Sequence, residues 1–554
     1  MKVNYFVQII TVIMVSTSQF SCISPTPQAD LIIMNANIWT GNQDTPRAEA
    51  FAIAGDTILA IGTYKELLKL EGSKTEVIDL QGKFVSPGFI DSHVHLLMGG
   101  NSLLNVQLRD VNSKKMFIST LVDFSKTREP GTWIVEGNWD HTLWGGILPN
   151  KEWIDPYTQN HPVALYRMDG HMVFANSKAL ELAGIDKNTP EVPNGTILRD
   201  SDGNPTGILK SNAMNLLLDK IPPMTALQKE KAILAANSYS LAHGITSVHD
   251  VDSLGTLEAA SKLVQQKKLQ LRIYSAKPLN RWDEVTVSES VNTKWIKTGS
   301  VKGFVDGSLG SHTAAFKTPY SDQPDDSGFY INSPEKLYDW ISKADVAKRH
   351  IQVHAIGDAA IHSLINIYER VINENGVRER RLRIEHAQHI SPNDIERFSE
   401  LGIIASMQPY HAIDDGRWAE DYIGTERAKT TYAFRSLADA HTVMVFGSDW
   451  PVAPASPILG IYAASTRRTT DQKNPEGWIP EQKITVEEAL KAYTINGAFA
   501  SFDETIKGSL EAGKLADFVV LSDDITKVDP NTILDIQVLA TYLGGELVYS
   551  SKVE

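Results

Sequence analysis

Short apolar runs alternate with longer helix-like stretches through the middle of the chain. Apolar strand-like runs recur at 245–248, 301–305, 351–353, 382–384, 403–407 and 443–446. Helix-like segments, such as 333–349 and 361–373, fall between these runs. Repeated strand-then-helix is typical of a parallel sheet or a (β/α)8 barrel. The pattern predicts an α/β fold with a (β/α)8 TIM-like barrel over about residues 87–495.

Both ends of the chain have a different, strand-rich character. Residues 29–86 contain short strands, with Gly55-Asp56 at a predicted hairpin turn, and residues 496–554 contain further strands and a Gly544-Gly545 turn. The two ends form either one small β-sandwich domain or two unrelated β segments. Residues 130–225 exceed what one βα unit needs, so we expect an insertion over the barrel mouth.

Length, composition and charge bound the function classes. The 554 residues are too many for one ordinary core. Hydrophobic residues make up 42% and charged residues 22%, which is a composition typical of soluble globular proteins. A formal net charge of -14 gives no electrostatic reason to bind nucleic acid. We therefore expect no nucleic-acid partner.

The N-terminus has the features of a targeting segment. Lys2 precedes an apolar run that is too short to cross a bilayer but fits a signal peptide over residues 1–21. Ser21-Cys22 resembles a bacterial lipobox, although Gln19 departs from its usual apolar residue, and residues 22–28 form a tether. We expect lipidation of Cys22 and a bacterial envelope protein, periplasmic or outer-membrane associated. The alternatives are ordinary signal cleavage or a cytosolic start.

The run Ser92-His93-Val94-His95 carries the strongest chemical signal in the chain. Side chains at i and i+2 of an extended segment point the same way, so both imidazoles converge at the end of a strand. Further candidate ligands end later strands: Lys302, His354, His386 and Asp449. Their spacing places them on barrel strands 4, 5, 6 and 8, with residues 403–407 as strand 7. Polar residues at the carboxyl ends of barrel strands are the expected site, and this set predicts a divalent metal.

The motifs closely resemble the amidohydrolase superfamily, in the branch of N-substituted formamide deformylases. The resemblance covers about residue 29 to the C-terminus. It is carried by residues 87–95, 169–171, 244–250, 306–311, 353–358, 383–388, 447–451 and 513–518. It favours one joint β domain from both chain ends.

The resemblance implies roles for the matched residues. His93 and His95 would hold a more buried metal, His354 and His386 a second one, and Lys302 would bridge them as a carbamate. Asp449 would bind metal and accept a proton from the attacking water. We therefore expect catalytic roles for Asp449, His386 and Lys302. Zinc is the expected metal, with one or two ions left open.

Other polar and aromatic residues are candidates for the substrate pocket. The expected substrate-binding residues are His171, Asn176, His312 and Trp450. His312, which replaces an arginine frequent in relatives, is a pocket-wall residue, a ligand or a proton donor. Glu385 and His389 flank His386, and we expect them to orient its ring. Tryptophans 133, 139, 144 and 153 either line the pocket or pack the insertion.

The combined expectation is a metal-dependent hydrolase of a non-peptide C–N bond in an amide, N-formyl or N-acyl compound. A deaminase of the same superfamily and a non-catalytic binding lipoprotein are the alternatives. The expected partners are a small amide-type substrate and the membrane, and a homodimer is left open.

Overall fold

The computed structural model describes residues 1, 28–168, 172–193, 195–251, 255–285 and 293–551. Cys22 and His171 lie outside the described residues, as does nearly all of the predicted signal peptide and tether. Within the described part of the chain, no helix combines the length and apolar character needed to cross a membrane.

Eight parallel strands form the central barrel. In chain order they are Phe89–Val94, Ile245–Asp250, Arg272–Pro278, Ile296–Phe304, His350–Ala355, Arg383–His386, Ile404–Met407 and Met444–Phe446, and spatial order follows chain order. The first and last strands meet just beyond their ends. The Asp449 amide donates to the His93 carbonyl (2.7 Å), and the His95 amide donates to the Trp450 carbonyl (2.8 Å). The predicted barrel is confirmed, and its candidate ligands lie in or just after strands 1, 4, 5, 6 and 8, as expected.

Helices accompany the barrel strands, and several of them begin at recognisable caps. Thr225 and Thr485 form capping boxes, and Ser333 caps a helix that starts at Pro334. The α-helices are Tyr64–Leu67, Leu96–Leu103, Lys114–Ser125, Ser177–Ala183, Asn215–Leu218, Ala226–Ala242, Thr256–Gln265, Pro334–Val346, Asp358–Asn375, Ile395–Glu400, Pro409–Asp415, Ala419–Ala428, Phe434–Asp439, Pro457–Thr466, Val486–Ala492 and Ile495–Ala500. Two of them correspond to the helix-like segments seen in the sequence.

Strands from both chain ends share one sheet. Its six strands, in spatial order, are Glu546–Ser550, Val538–Leu543, Phe518–Leu521, Phe84–Pro87, Asn37–Trp39 and Arg47–Ala48. A second, four-stranded sheet contains Thr57–Gly62, Ala50–Ala54, Leu31–Met34 and Glu76–Asp79. Phe84–Pro87 pairs antiparallel with Phe518–Leu521, which joins the two ends. A buried ion pair between Arg272 and Asp517 (2.6 Å) ties this region to the third barrel strand.

A five-stranded sheet lies in sequence between the first and second barrel strands. Its spatial order is Gly195–Arg199, Pro205–Ser211, Met172–Ala175, Val163–Arg167 and Ile134–Trp139. Trp139 is fully buried among its apolar side chains and donates from Nε1 to the Leu165 carbonyl at 2.8 Å. Trp144 and Trp153 pack against the same cluster, and Trp133 packs against a neighbouring one. The tryptophans therefore pack the insertion.

Candidate metal centre

Three side chains converge where the first and last barrel strands meet. His93 is the penultimate described residue of its strand, His95 follows that strand, and Asp449 follows the eighth strand. The Oδ1 atom of Asp449 lies 3.5 Å from Nε2 of His93 and 3.3 Å from Nε2 of His95. One ligand atom from each of the three lies within 4.8 Å of the others. This is a spacing from which three side chains could hold one ion.

A second group of three shares Asp449. Its other members are His386, at the end of the sixth strand, and His411, in the helix that follows the seventh strand. The Nδ1 atom of His386 lies 2.9 Å from Oε1 of Gln408. An imidazole that donates from Nδ1 to an amide oxygen keeps Nε2 free to bind a metal. The ring of His386 is therefore held by Gln408.

Lys302 and His354 lie beside these groups. Nζ of Lys302 is 3.4 Å from Nε2 of His93, and the Lys302 side chain is buried. The ring of His354 has its centroid 4.5 Å from that of His386. Nε2 of His354 contacts the Gly307 carbonyl at 2.9 Å, which leaves Nδ1 as the nitrogen available to a metal. The structure thus brings together all six residues predicted as ligands.

The electrostatics of the site suit a cation. Burial and the nearby Lys302 ammonium lower the pKa of His93 to about 4 and that of His354 to about 3. Burial also holds the pKa of His386 well below its ordinary value. These imidazoles are consequently neutral near pH 7, which is the form that binds metal.

Asp449 supplies the negative charge of the centre. Burial opposes ionisation of Asp449, but His93, His95 and His386 outweigh it and hold the pKa well below its usual range. Its buried Oδ1 atom accepts no hydrogen bond of normal geometry within the described part of the chain. A charged, unsatisfied oxygen among neutral imidazole nitrogens fits a divalent metal.

The backbone at two candidate ligands is strained. His386 has φ 72° and Asp449 has φ 60°, both in the left-handed region. This conformation costs about 1–2 kcal/mol for a residue with a Cβ, so the surrounding structure must hold it. Asp91 does so at Asp449, because its carboxylate accepts from the Ser448 amide (2.9 Å) and from the Ser448 hydroxyl (2.6 Å). Strain of this kind is concentrated at functional sites.

Two of the predicted substrate-binding residues have structural roles. The amide of Asn176 is buried, caps the helix Ser177–Ala183 and donates to Thr158 and His161. Its hydrogen-bonding capacity is used inside the insertion, which leaves nothing for a substrate. The indole of Trp450 is also buried, and it stacks on Tyr239 with ring centroids 5.1 Å apart. It packs among helices beside the site.

His312 lies in the loop after the fourth barrel strand. Its Nε2 atom contacts Asp322 Oδ2 at 2.8 Å, and its ring stacks on Tyr422 with centroids 4.4 Å apart. It belongs to neither group of candidate ligands. A place in the wall of the substrate pocket remains a prediction for His312. No contact among the described residues favours a role as a metal ligand.

The expectation that Glu385 and His389 orient His386 is wrong. Glu385 contacts Nδ1 of His93, and His389 contacts Thr431 Oγ1 at 2.8 Å. Gln408, and not either of these two residues, contacts Nδ1 of the His386 ring. Sequence reasoning also missed His411 and Gln408. The sequence signal for both residues is the run Gln408-Pro409-Tyr410-His411, which directly follows the predicted strand 403–407.

Comparison with known proteins identifies the class. The chain matches the Amidohydrolase family over residues 76–549, and it belongs to that family. An Arabidopsis thaliana protein, LONG AFTER FAR-RED 3, is 39% identical over 94% of this chain and 92% of its own length. The N-substituted formamide deformylase of Arthrobacter pascens is 30% identical over 95% of this chain and 99% of its own length. The resemblance read from the motifs is confirmed.

A solved structure agrees with this assignment. An uncharacterized metal-dependent hydrolase from Pyrococcus horikoshii OT3 matches with a TM-score of 0.76 and 28% identity, over 90% of this chain and 99% of that one. The chain therefore has the fold of a metal-dependent hydrolase of the amidohydrolase superfamily.

Proposed function

We propose that the protein hydrolyses a non-peptide C–N bond in an amide, N-formyl or N-acyl compound, using one or two divalent metal ions, with zinc as the expected metal. The observation that carries this proposal is the convergence of His93, His95, His386 and Asp449 at the carboxyl ends of barrel strands, with Lys302 beside them. The similarity to the formamide deformylase extends over nearly the whole chain and supports the bond type.

The residues have distinct tasks in such a reaction. A bound divalent metal lowers the pKa of water and polarises the carbonyl under attack. His93, His95 and Asp449 would hold one ion, and His386 with His354 and a carbamylated Lys302 would complete a two-metal site. Asp449 is ionised near neutral pH, so it can take a proton from the attacking water and give it to the leaving nitrogen.

The deaminase alternative has weaker support. An adenine deaminase of Clostridium acetobutylicum is 46% identical, but only over 12% of this chain. Lys302 also favours a two-metal hydrolase, because a bridging lysine has no task in a mononuclear deaminase. A binding protein without turnover would have no need of the strained, charged Asp449.

Metal content and a substrate panel test the proposal. Protein starting after Cys22 would be purified without chelators, assayed for metal, and incubated with N-formyl amines, N-acyl amines, hydantoins and lactams. About two equivalents of metal with release of formate or another acid would support it. Ammonia released from an aminated heterocycle would favour the deaminase. No bound metal after reconstitution with zinc and bicarbonate would refute the metal-dependent function.

We also propose that Cys22 carries a lipid anchor that holds the protein at the bacterial envelope. The support is the sequence of the leader and the lone cysteine. In a bacterial host, Cys22→Ser should move the protein from the membrane fraction to the soluble fraction. Continued membrane retention would contradict the anchor.

A further inference from the structure

His411 lies in an unexpected place for a ligand. It belongs to the helix Pro409–Asp415, which begins two residues after the seventh barrel strand, Ile404–Met407. The His411 amide donates to the Gln408 carbonyl at 3.1 Å in a tight turn. Gln408 itself holds the ring of His386. One short segment thus both positions a candidate ligand and returns a second imidazole to the same place.

The side chain of His411 has an unmet hydrogen-bonding group. Its Nε2 atom is buried and has no hydrogen-bond partner among the described residues. Leaving a buried polar atom unpaired costs about 1–3 kcal/mol, so it requires an explanation. A ligand atom of His411 lies within 4.8 Å of ligand atoms of both His386 and Asp449. An ion held by these three side chains would give the buried His411 ring a polar partner.

His389 shows that a buried, unpaired ring nitrogen does not by itself identify a metal ligand. Its Nε2 atom is likewise buried without a partner in the part of the chain that the structure describes. Its ring, however, packs against Phe316 and belongs to neither candidate ligand group. What separates the two histidines is that His411 faces an imidazole nitrogen and a carboxylate oxygen.

We propose that His411 is a metal ligand and that it forms a second metal position together with His386 and Asp449. The inference rests on the proposed metal-dependent function and adds a ligand from the seventh strand's loop. Asp449 would then be shared between two sets, with His93 and His95 on one side and His386 and His411 on the other. On the first side, Oδ1 of Asp449 lies close to Nε2 of both His93 and His95 without a normal hydrogen bond, as an oxygen that binds a metal would.

Cobalt binding tests this role without depending on turnover. The wild type, His411→Gln and the matched control His389→Gln would be titrated with Co²⁺ while the visible absorption of the bound ion is recorded. We expect His411→Gln to bind the weaker equivalent at least about 10-fold less tightly, with a changed cobalt spectrum. His389→Gln should match the wild type. A titration and spectrum of His411→Gln equal to those of the wild type would overturn the proposal.

A second variant guards against misfolding and against an indirect effect. His411→Asp replaces the imidazole by a carboxylate, which can also bind zinc. Zinc should therefore still bind, and X-ray absorption should show fewer imidazole scatterers per zinc than in the wild type. An unchanged imidazole count would also overturn the proposal. Failure of the wild type to bind any metal would refute the proposed function as well, whereas equal binding by wild type and His411→Gln refutes only the role of His411.

Discussion

The carboxylate of Glu385 contacts Nδ1 of His93 across the interior of the barrel. Its other oxygen lies 2.8 Å from Nε of Arg383, which is also buried. Burial opposes ionisation of Glu385, but Arg383 and His93 outweigh it and hold the pKa well below its usual range. The charged carboxylate therefore fixes the ring of His93 with Nε2 toward Lys302 and Asp449.

Replacing Glu385 should weaken metal binding and folding together. Glu385→Gln keeps the shape of the side chain but removes the charge that holds His93 and compensates Arg383. We expect metal affinity to fall about 10–100-fold. We also expect the free energy of unfolding to fall by about 3–5 kcal/mol. Metal titration and urea unfolding measure the two effects. The control is Glu379→Gln. Glu379 is exposed, and its partner Arg381 keeps a second ion pair with Glu504, so the loss should matter little. Unchanged metal affinity in Glu385→Gln would contradict the argument.

Asp449→Asn tests the proton carrier. The amide cannot accept and return a proton, so we expect kcat on a confirmed substrate to fall by about 10²–10⁴-fold. Part of the metal affinity should also be lost, because the amide brings no charge. Circular dichroism should show that the fold survives. Full activity of metal-loaded Asp449→Asn would rule out this role for the carboxylate.

Lys302 gives the site a pH dependence. Burial lowers the pKa of Lys302 to about 8, although Glu385 and Asp449 act in the opposite direction. The neutral amine, which is the form that reacts with carbon dioxide, thus rises from about 3% at pH 6.5 to about three quarters at pH 8.5. Reconstitution with ¹³C-bicarbonate and zinc should form more carbamate at the higher pH. Lys302→Arg should form none at either pH, and a wild type without any carbamate signal would exclude carbamylation.

Local patterns predicted the barrel because apolar strand-like runs alternate with helix-like segments along the chain. Parallel strands bring their carboxyl ends to one side of a barrel. Polar residues near the ends of strands were therefore expected to lie close together, and the structure does bring together Lys302, His354, His386 and Asp449. The same rule passed over His411, which lies in a helix beyond its strand. Only the three-dimensional path of that loop brings it back to Asp449.

Asn176, which the sequence analysis expected to bind substrate, is a helix cap in the structure. It precedes the helix Ser177–Ala183 in the sequence, which is the position where asparagine caps a helix, and its Oδ1 atom accepts from the Ala179 amide at 3.0 Å. The cap could have been recognised from the residues alone. The contact of Glu385 with His93 could not, because the two residues are on different strands and lie 292 positions apart.

The last prediction concerns the packing of Gly99 against Trp450, the residue that follows Asp449. A Cβ at Gly99 would lie 2.2 Å from the ring of Trp450, which is itself stacked on Tyr239. Alanine is the better helix former by about 1 kcal/mol, but overpacking a filled core costs about 1–3 kcal/mol. The steric cost should win, so Gly99→Ala should lower the free energy of unfolding in urea. It should also weaken metal binding by displacing Trp450, the neighbour of Asp449.

Gly310→Ala is the control, because its Cβ would meet only the Trp418 ring, at 3.4 Å. A Gly99→Ala protein more stable than the wild type would show that the Trp450 ring can move freely and does not brace the site.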